Sequence, residues 1–334
     1  MDALRGGKMY EKLFVEINGS KQGMFLQSEN DGNPVLLYLH GGPGAPEIAF
    51  SEKHPTGLET LFTVCWWEQR GSGLSYNHKI TSKEMTLEQM VSDTIAVANY
   101  LRERFNKDKI YIMGHSWGSL LGVLTIKQQP EIFQAYVGIG QVAQGEKSER
   151  LAYTYMLEKY TELKNHKMVR KLKKYPIDKG GDISIKYLIN ARSEGMNRLG
   201  IGVMRTMTTM LEFASIVVGY KGYSLREKFK YIQGSSFSLK NLCAYMMKTD
   251  LIKQVPSIQV PVYIFQGKYD YQASYVVAKD FALALKAPMK GFYTFENSAH
   301  SPCYEEPDKM CTILRMDILK NQVSLADKIE YCND

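Results

Sequence analysis

KIYIMGHSWGSLLGVL, from Lys109 to Leu124, reads as a strand, a sharp turn and a helix in immediate succession. Ile110 to Met113 is a short apolar run suited to a β-strand, and Ser119 to Gln129 has the apolar content of a packed helix. Between them, Gly114-His115-Ser116-Trp117-Gly118 fits the pattern G-x-S-x-G. In such a turn the serine hydroxyl stands above the sheet, and the small residues two places to either side let strand and helix approach each other. Ser116 is therefore a candidate nucleophile.

Upstream, Val35 to Leu39 is a continuous apolar run, as expected for a strand covered on both faces, and it ends at His40-Gly41-Gly42-Pro43-Gly44. A glycine-rich loop at a strand's end allows backbone N–H groups to reach a developing oxyanion. The N–H groups of Gly42 and Trp117 are the expected pair, Gly41 is a further substrate-contact candidate, and His40 is expected to support the loop. Leu61 to Trp67 is another strand, followed by Glu68-Gln69-Arg70-Gly71-Ser72-Gly73. Thr86 to Phe105 carries helical periodicity, with Thr86 placed as N-cap. Tyr10 to Ile17 and Met24 to Gln27, around Asn18-Gly19-Ser20, predict an opening hairpin.

Downstream, Ala135 to Ile139 supplies one more strand, and then the rhythm breaks. Residues 141–254 offer helical stretches at Glu149 to Leu163, Ile183 to Ser193, Val203 to Val218 and Leu239 to Met247. This segment holds 21 Lys and Arg against 10 Asp and Glu, an excess larger than the whole chain's net charge of +7, so a basic insertion sits on a mildly acidic body. The run Arg170 to Lys174 is expected to be a solvated helix face, and nucleic-acid binding is not expected. The Met and Tyr residues of the insertion, among them Tyr153, Tyr155, Met156, Met204, Met207, Met210, Tyr245, Met246 and Met247, suit either a pocket wall or core filling.

Strands resume at Val260 to Phe265, which leads to Gly267-Lys268-Tyr269-Asp270, and at Lys290 to Phe295, which leads to Ser298-Ala299-His300, with a helix over Ala273 to Leu285 between them. Alternating strands and helices predict an α/β fold with a mostly parallel sheet. Ser116, Asp270 and His300 each follow a strand, in the chain order nucleophile, acid, base that this architecture uses. Asp250, placed before the strand, is the rival acid. The expected organisation is an α/β core of residues 1–140 and 255–334 with a helical cap of residues 141–254.

With 44% hydrophobic residues and no apolar run of membrane-spanning length, a water-soluble protein is expected. Met1 to Lys8 lacks the apolar stretch of a secretory leader, and Cys65, Cys243, Cys303, Cys311 and Cys332 show no metal or disulfide spacing, which predicts reduced thiols and the cytoplasm. Cys303, close to His300 in sequence, is expected to be a buried inert thiol.

The motifs HGGPG at His40, EQRGSG at Glu68, GHSWGS at Gly114, GKYD at Gly267 and SAHSP at Ser298 together resemble the proline iminopeptidase branch of the α/β-hydrolases. The resemblance implies Ser116 as nucleophile, Asp270 as acid, His300 as base, Gly42 and Trp117 as the oxyanion hole, and no metal or cofactor. It also implies that the helical insertion is a cap whose glutamates capture a substrate's α-amine. This chain departs from the family in having Glu68 where the family has Asp, beside an Arg70 expected in a structural salt bridge. All three Trp, at 66, 67 and 117, also lie outside the cap.

The expected activity is release of an N-terminal proline or other small residue from short peptides. A carboxylesterase, lactonase or amidase for small neutral substrates is the alternative, and a non-catalytic ligand-binding relative is more remote. Glu212 is the candidate amine-binding carboxylate, with Thr208 and Ser215 on the same predicted helical stripe, which could face either solvent or the cleft. A small-molecule or short-peptide substrate is expected, with no nucleic acid and no membrane partner.

Overall fold

The computed structural model describes residues 8–177, 183–207 and 209–330, without the side chain of Met210. The strands are β1 (Met9–Ile17), β2 (Ser20–Ser28), β3 (Val35–Leu39), β4 (Thr63–Trp67), β5 (Ile110–His115), β6 (Phe133–Ile139), β7 (Val262–Gly267) and β8 (Lys290–Phe295). They form one sheet in the order β1-β2-β4-β3-β5-β6-β7-β8. The hairpin turns at Asn18 and Gly19, both with positive φ, a geometry that matches the twist of its strands. β1 and β2 pair antiparallel, as do β2 and β4, and the pairs from β4 through β8 are parallel.

Around the sheet lie α1 (Ile48–Lys53), α2 (Leu87–Arg104) and α3 (Trp117–Gln128) before the insertion, and α11 (Tyr275–Ala284), α12 (Pro302–Glu305) and α13 (Pro307–Ile313) after it. The two-residue period of each strand divides the core. Leu37, Cys65, Trp67 and Ile112 pack with residues of α2, α3 and α11. Their neighbours Leu36, Val64, Trp66 and Met113 pack with residues of α1, α12 and α13. Every residue of β3 and β4 is buried, which is why these strands read as unbroken apolar runs. Thr86 caps α2, its side chain accepting the Gln89 N–H.

Between β6 and β7 the regular elements among the described residues are helical: α4 (Gly145–Glu162), α5 (His166–Leu172), α6 (Ile185–Tyr187), a π-turn at Leu188–Arg192, α7 (Ser193–Arg198), α8 (Met210–Gly219), α9 (Leu225–Lys248) and α10 (Leu251–Gln254). Tyr153, Met156, Tyr160, Leu172, Tyr187 and Met196 form a separate apolar cluster within this segment. The stretch expected at Ile183 to Ser193 is broken by the π-turn and runs on to Arg198, and two further helices differ more widely from the sequence reading. The helix expected from Val203 starts only at Met210, because Thr209 and Glu212 close a capping box, while Met204 and Met207 are buried in irregular chain before it. The helix expected at Leu239 is the end of α9, which begins at a second capping box formed by Ser224 and Glu227. α9 runs unbroken through Gly234-Ser235-Ser236 and needs these small residues. A Cβ on Gly234 would lie 2.9 Å from the Gly71 carbonyl. Ser235 and Ser238 donate to the carbonyls of Gly44 and Gly71, and Tyr231 donates to that of Pro46, so α9 lies directly on the loops after β3 and β4.

Arg70 does form a buried salt bridge, but with Asp93 of α2, at 2.6 Å from Nε and 3.0 Å from Nη2. Glu68 accepts instead from the Tyr223 hydroxyl and the Leu74 N–H, each at 2.5 Å.

Candidate active site

The turn after β5 holds Ser116 at φ 55° and ψ −120°, a strained conformation for a residue with a side chain. The packing explains why the turn is glycine-flanked. A Cβ on Gly114 would lie 2.2 Å from the Gly118 carbonyl oxygen, and one on Gly118 would lie 2.0 Å from that of Leu39. The Ser116 N–H is anchored on the Ile139 carbonyl at 2.9 Å. Trp117 opens α3, so its N–H belongs to the first turn, where helix amides have no intrahelical acceptor.

The loops after β7 and β8 bring Asp270 and His300 together, Oδ2 to Nδ1 at 2.8 Å, with both side chains buried. The carboxylate is held from all sides. Oδ2 also accepts from Gln266 Nε2 at 2.8 Å, and Oδ1 accepts the N–H groups of Gln272 and Ala273 at 2.8 and 3.0 Å. Asp250 is engaged elsewhere, as the N-cap of α10 with Lys253 as its ion partner.

His40 supports the glycine-rich loop, as expected. Its Nδ1 lies 2.9 Å from the Gly41 carbonyl, and its Nε2 accepts the Gln69 N–H at 3.2 Å. Burial pulls its pKa down to about 4, which keeps the ring neutral. Gln69 in turn donates to the His40 carbonyl and accepts from the Trp117 indole, so the loops after β3 and β4 are locked to the start of α3. Burial pushes the Cys303 thiol well above its ordinary range, and Cys65, Cys243, Cys303 and Cys311 are all free thiols; Cys332 lies outside the described residues.

Gly41, Gly42, Ser116 and His300 line one cavity of about 400 Å³. The insertion closes it with Val203, Phe213 of α8, and Ser235 and Leu239 of α9. A larger cavity of about 890 Å³ between α4 and α11 touches Asp270 but reaches neither Ser116 nor His300. Gly41 lies on the smaller cavity, but its N–H is already given to Glu47 Oε1 at 2.7 Å. Glu212 is not on that wall. It is exposed, and its Oε1 takes the N–H and the hydroxyl of Thr209, because α8 turns Phe213 inward. Ser215 is exposed as well, and Thr208 lies outside the described residues. Of the insertion's Met and Tyr residues named above, none with a described side chain lines this cavity.

Sequence reasoning missed Glu47. This carboxylate is buried on the cavity wall, where Oε1 also meets His115 Nδ1 at 2.9 Å and Oε2 accepts from the hydroxyls of Tyr38 and Tyr304, each at 2.8 Å. Burial alone would raise its pKa, but the His115 charge and the hydrogen bonds from His115, Gly41 and Tyr304 outweigh burial and pull it down to about 2. An acid between Pro46 and Ile48, directly after the glycine-rich loop, was the available signal.

Against known proteins, the family described as serine aminopeptidase, S33 matches residues 59–187. A Bacillus subtilis protein named probable aminopeptidase YbaC is 34% identical over 300 residues, covering 90% of this chain and 93% of that protein. This chain belongs to the proline iminopeptidase-like branch of the α/β-hydrolases. It is a serine hydrolase. A proline iminopeptidase of Heyndrickxia coagulans is 22% identical over 326 residues, 92% of this chain and 98% of that one. The crystal structure of Mycobacterium smegmatis proline iminopeptidase superposes with a TM-score of 0.65 at 17% identity, over 91% of this chain and 96% of that one, and shares its fold. No helix among the described residues is long and apolar enough to cross a membrane.

Proposed function

We propose that the chain is a serine aminopeptidase that releases proline or another small N-terminal residue from short peptides, working in the cytoplasm with residues 141–254 as a cap over the site. The observation that carries the chemistry is the 2.8 Å Asp270–His300 bond with His300 and the strained Ser116 on one cavity. Because Asp270 holds Nδ1, Nε2 of His300 is the nitrogen that accepts the Ser116 proton as Oγ attacks the scissile carbonyl. The N–H groups of Gly42 and Trp117 bind the oxyanion, and the proton passes from His300 to the leaving amine. Water, deprotonated by the same imidazole, then releases the acyl group. The aminopeptidase choice is supported by the similarity to the Bacillus subtilis protein over nine-tenths of the chain.

One observation favours a second reading, an esterase for small neutral acyl groups. Glu47 is the acidic residue on the cavity wall among the described residues, and four donors already surround it. Steady-state kinetics with proline p-nitroanilide beside p-nitrophenyl acetate and butyrate separate the two. Ser116→Ala should lose on the order of 10⁴ to 10⁶ in kcat while remaining folded. A fully active Ser116→Ala enzyme would overturn both readings.

A further inference from the structure

Glu47 and His115 have no part in the acyl-transfer steps, yet they touch three of the elements that carry those steps. Glu47 Oε1 accepts the Gly41 N–H at 2.7 Å, immediately before the oxyanion donor Gly42. His115 immediately precedes Ser116. Its Nδ1 lies 2.9 Å from Glu47 Oε1, and its Nε2 lies 3.0 Å from the backbone carbonyl of His300. A neutral imidazole has only one N–H, so it could satisfy only one of these two oxygen acceptors. The ring satisfies both as an imidazolium.

We propose that Glu47 and a protonated His115 form a buried ion pair that positions the oxyanion loop, the nucleophile turn and the base against one another, so that loss of the His115 proton limits turnover at alkaline pH. The proposal rests on the Ser116–His300 reading given above. Its surroundings are consistent. Tyr38 and Tyr304 face Glu47 with hydroxyl donors, and Cys303, beside them, is a buried neutral thiol. The His300 ring is 5.1 Å from that of His115, with Asp270 bonded to its Nδ1, and the Ser301 hydroxyl is 3.5 Å from His115 Nε2. His40, on the neighbouring loop, is neutral. Burial works against a charged His115, but the Glu47 charge and hydrogen bond, joined by the His300 carbonyl and the Asp270 charge, more than offset that and raise the pKa.

Glu47→Gln tests the pair with little change of shape, since the two tyrosine hydroxyls can accept from the new amide as readily as they donate to the carboxylate. The first readout is the histidine ¹⁵N spectrum against pH, with the His115 signals assigned by their loss in His115→Gln. The second is the pH profile of kcat and kcat/KM on p-nitrophenyl acetate. In the wild type, His115 should carry protons on both nitrogens at the pH optimum of the enzyme. In Glu47→Gln its titration, and with it the alkaline limb of kcat, should move down by roughly one pH unit or more. The kcat at the optimum should fall on the order of ten- to a hundredfold, with KM little changed. A neutral His115 in the wild type at that optimum overturns the proposal. So does a Glu47→Gln enzyme whose kcat falls with an unmoved alkaline limb, since that is what a merely structural contact would give. Full activity of Ser116→Ala would instead sink the catalytic reading, and the spectrum would still decide the charge on His115.

Discussion

Glu68 offers a test of how the insertion is tied to the core. Its carboxylate is buried where β4 ends, accepting from the Leu74 N–H and from Tyr223, a residue of the insertion. Burial pushes its pKa from the ordinary 4.5 up to about 7, against the hydrogen bonds of Tyr223 and Leu74, which pull it down. A carboxyl whose folded pKa is raised binds its proton more tightly in the native chain than in the unfolded one. Its contribution is therefore full below about 4.5 and is lost as the pH climbs through about 7. The gap between those values corresponds to roughly 3 kcal/mol, or on the order of 5 °C in Tm for a chain of this size. Glu68→Gln removes the titration and keeps the shape, because the amide oxygen can accept from Leu74 while Tyr223 accepts from the amide nitrogen. Wild type and variant should be melted at a series of values from about pH 5 to 8. The wild type should lose most of those few degrees relative to the variant between about pH 5 and 7, and the two profiles should run parallel above that. Tm profiles parallel throughout would refute the reasoning, since they would show that Glu68 does not change charge in that window.

Asp270→Asn should lower kcat by about 10⁴ with KM nearly unchanged, because an amide nitrogen facing His300 Nδ1 favours the wrong tautomer; Asp250→Asn, which only weakens the cap of α10, should leave kcat alone in the same assay. Glu212→Ala should cost about 1 kcal/mol in urea unfolding through loss of the capping box on α8, without changing KM for aminoacyl or ester substrates. A KM raised for the aminoacyl substrate alone would place that carboxylate in the cleft after all.

The core was legible because its strands are buried on both faces and its turns are sterically fixed. Val35 to Leu39 and Lys290 to Phe295 are strands to the residue, since each is bounded by a change that physics enforces, a proline-containing turn before Val35 and the glycine-rich loop opening at His40 after Leu39, or the close of an apolar run at Glu296. The GHSWG turn was legible for the same reason. Gly114 and Gly118 face backbone carbonyls at distances that no Cβ tolerates, so their spacing encodes the packing directly. The insertion was less legible because its helix boundaries depend on side-chain capping within apolar stretches. Thr209 and Glu212 divide a continuous helical period, and α9 extends ahead of Leu239 through Gly234, where the Gly71 loop lies against it. Arg70 shows a third limit. Its partner Asp93 is distant in sequence and the acid beside it, Glu68, turns the other way, so a nearby opposite charge was a poor guide to the pair.

The cavity wall carries a further consequence for selectivity between substrates with and without a free amine. With Glu212 capping its own helix, the acidic group on the wall among the described residues is Glu47, and its two oxygens already accept from Gly41, His115, Tyr38 and Tyr304. A substrate ammonium can reach that carboxylate only by displacing one of these donors. A hydrogen bond to an ionised group contributes about 1.5–3 kcal/mol, so exchanging one for another returns little of the gain that a vacant carboxylate would give. An ammonium would also approach the His115 imidazolium, and like charges repel. Alanine p-nitroanilide and its propionyl counterpart differ by that amine alone, and on the esterase reading kcat/KM for the two should agree to within about tenfold, or roughly 1.4 kcal/mol. Discrimination of about a thousandfold in favour of the alanyl compound would show that a carboxylate is free to receive the amine, and that the filled hydrogen-bond set of Glu47 does not govern recognition.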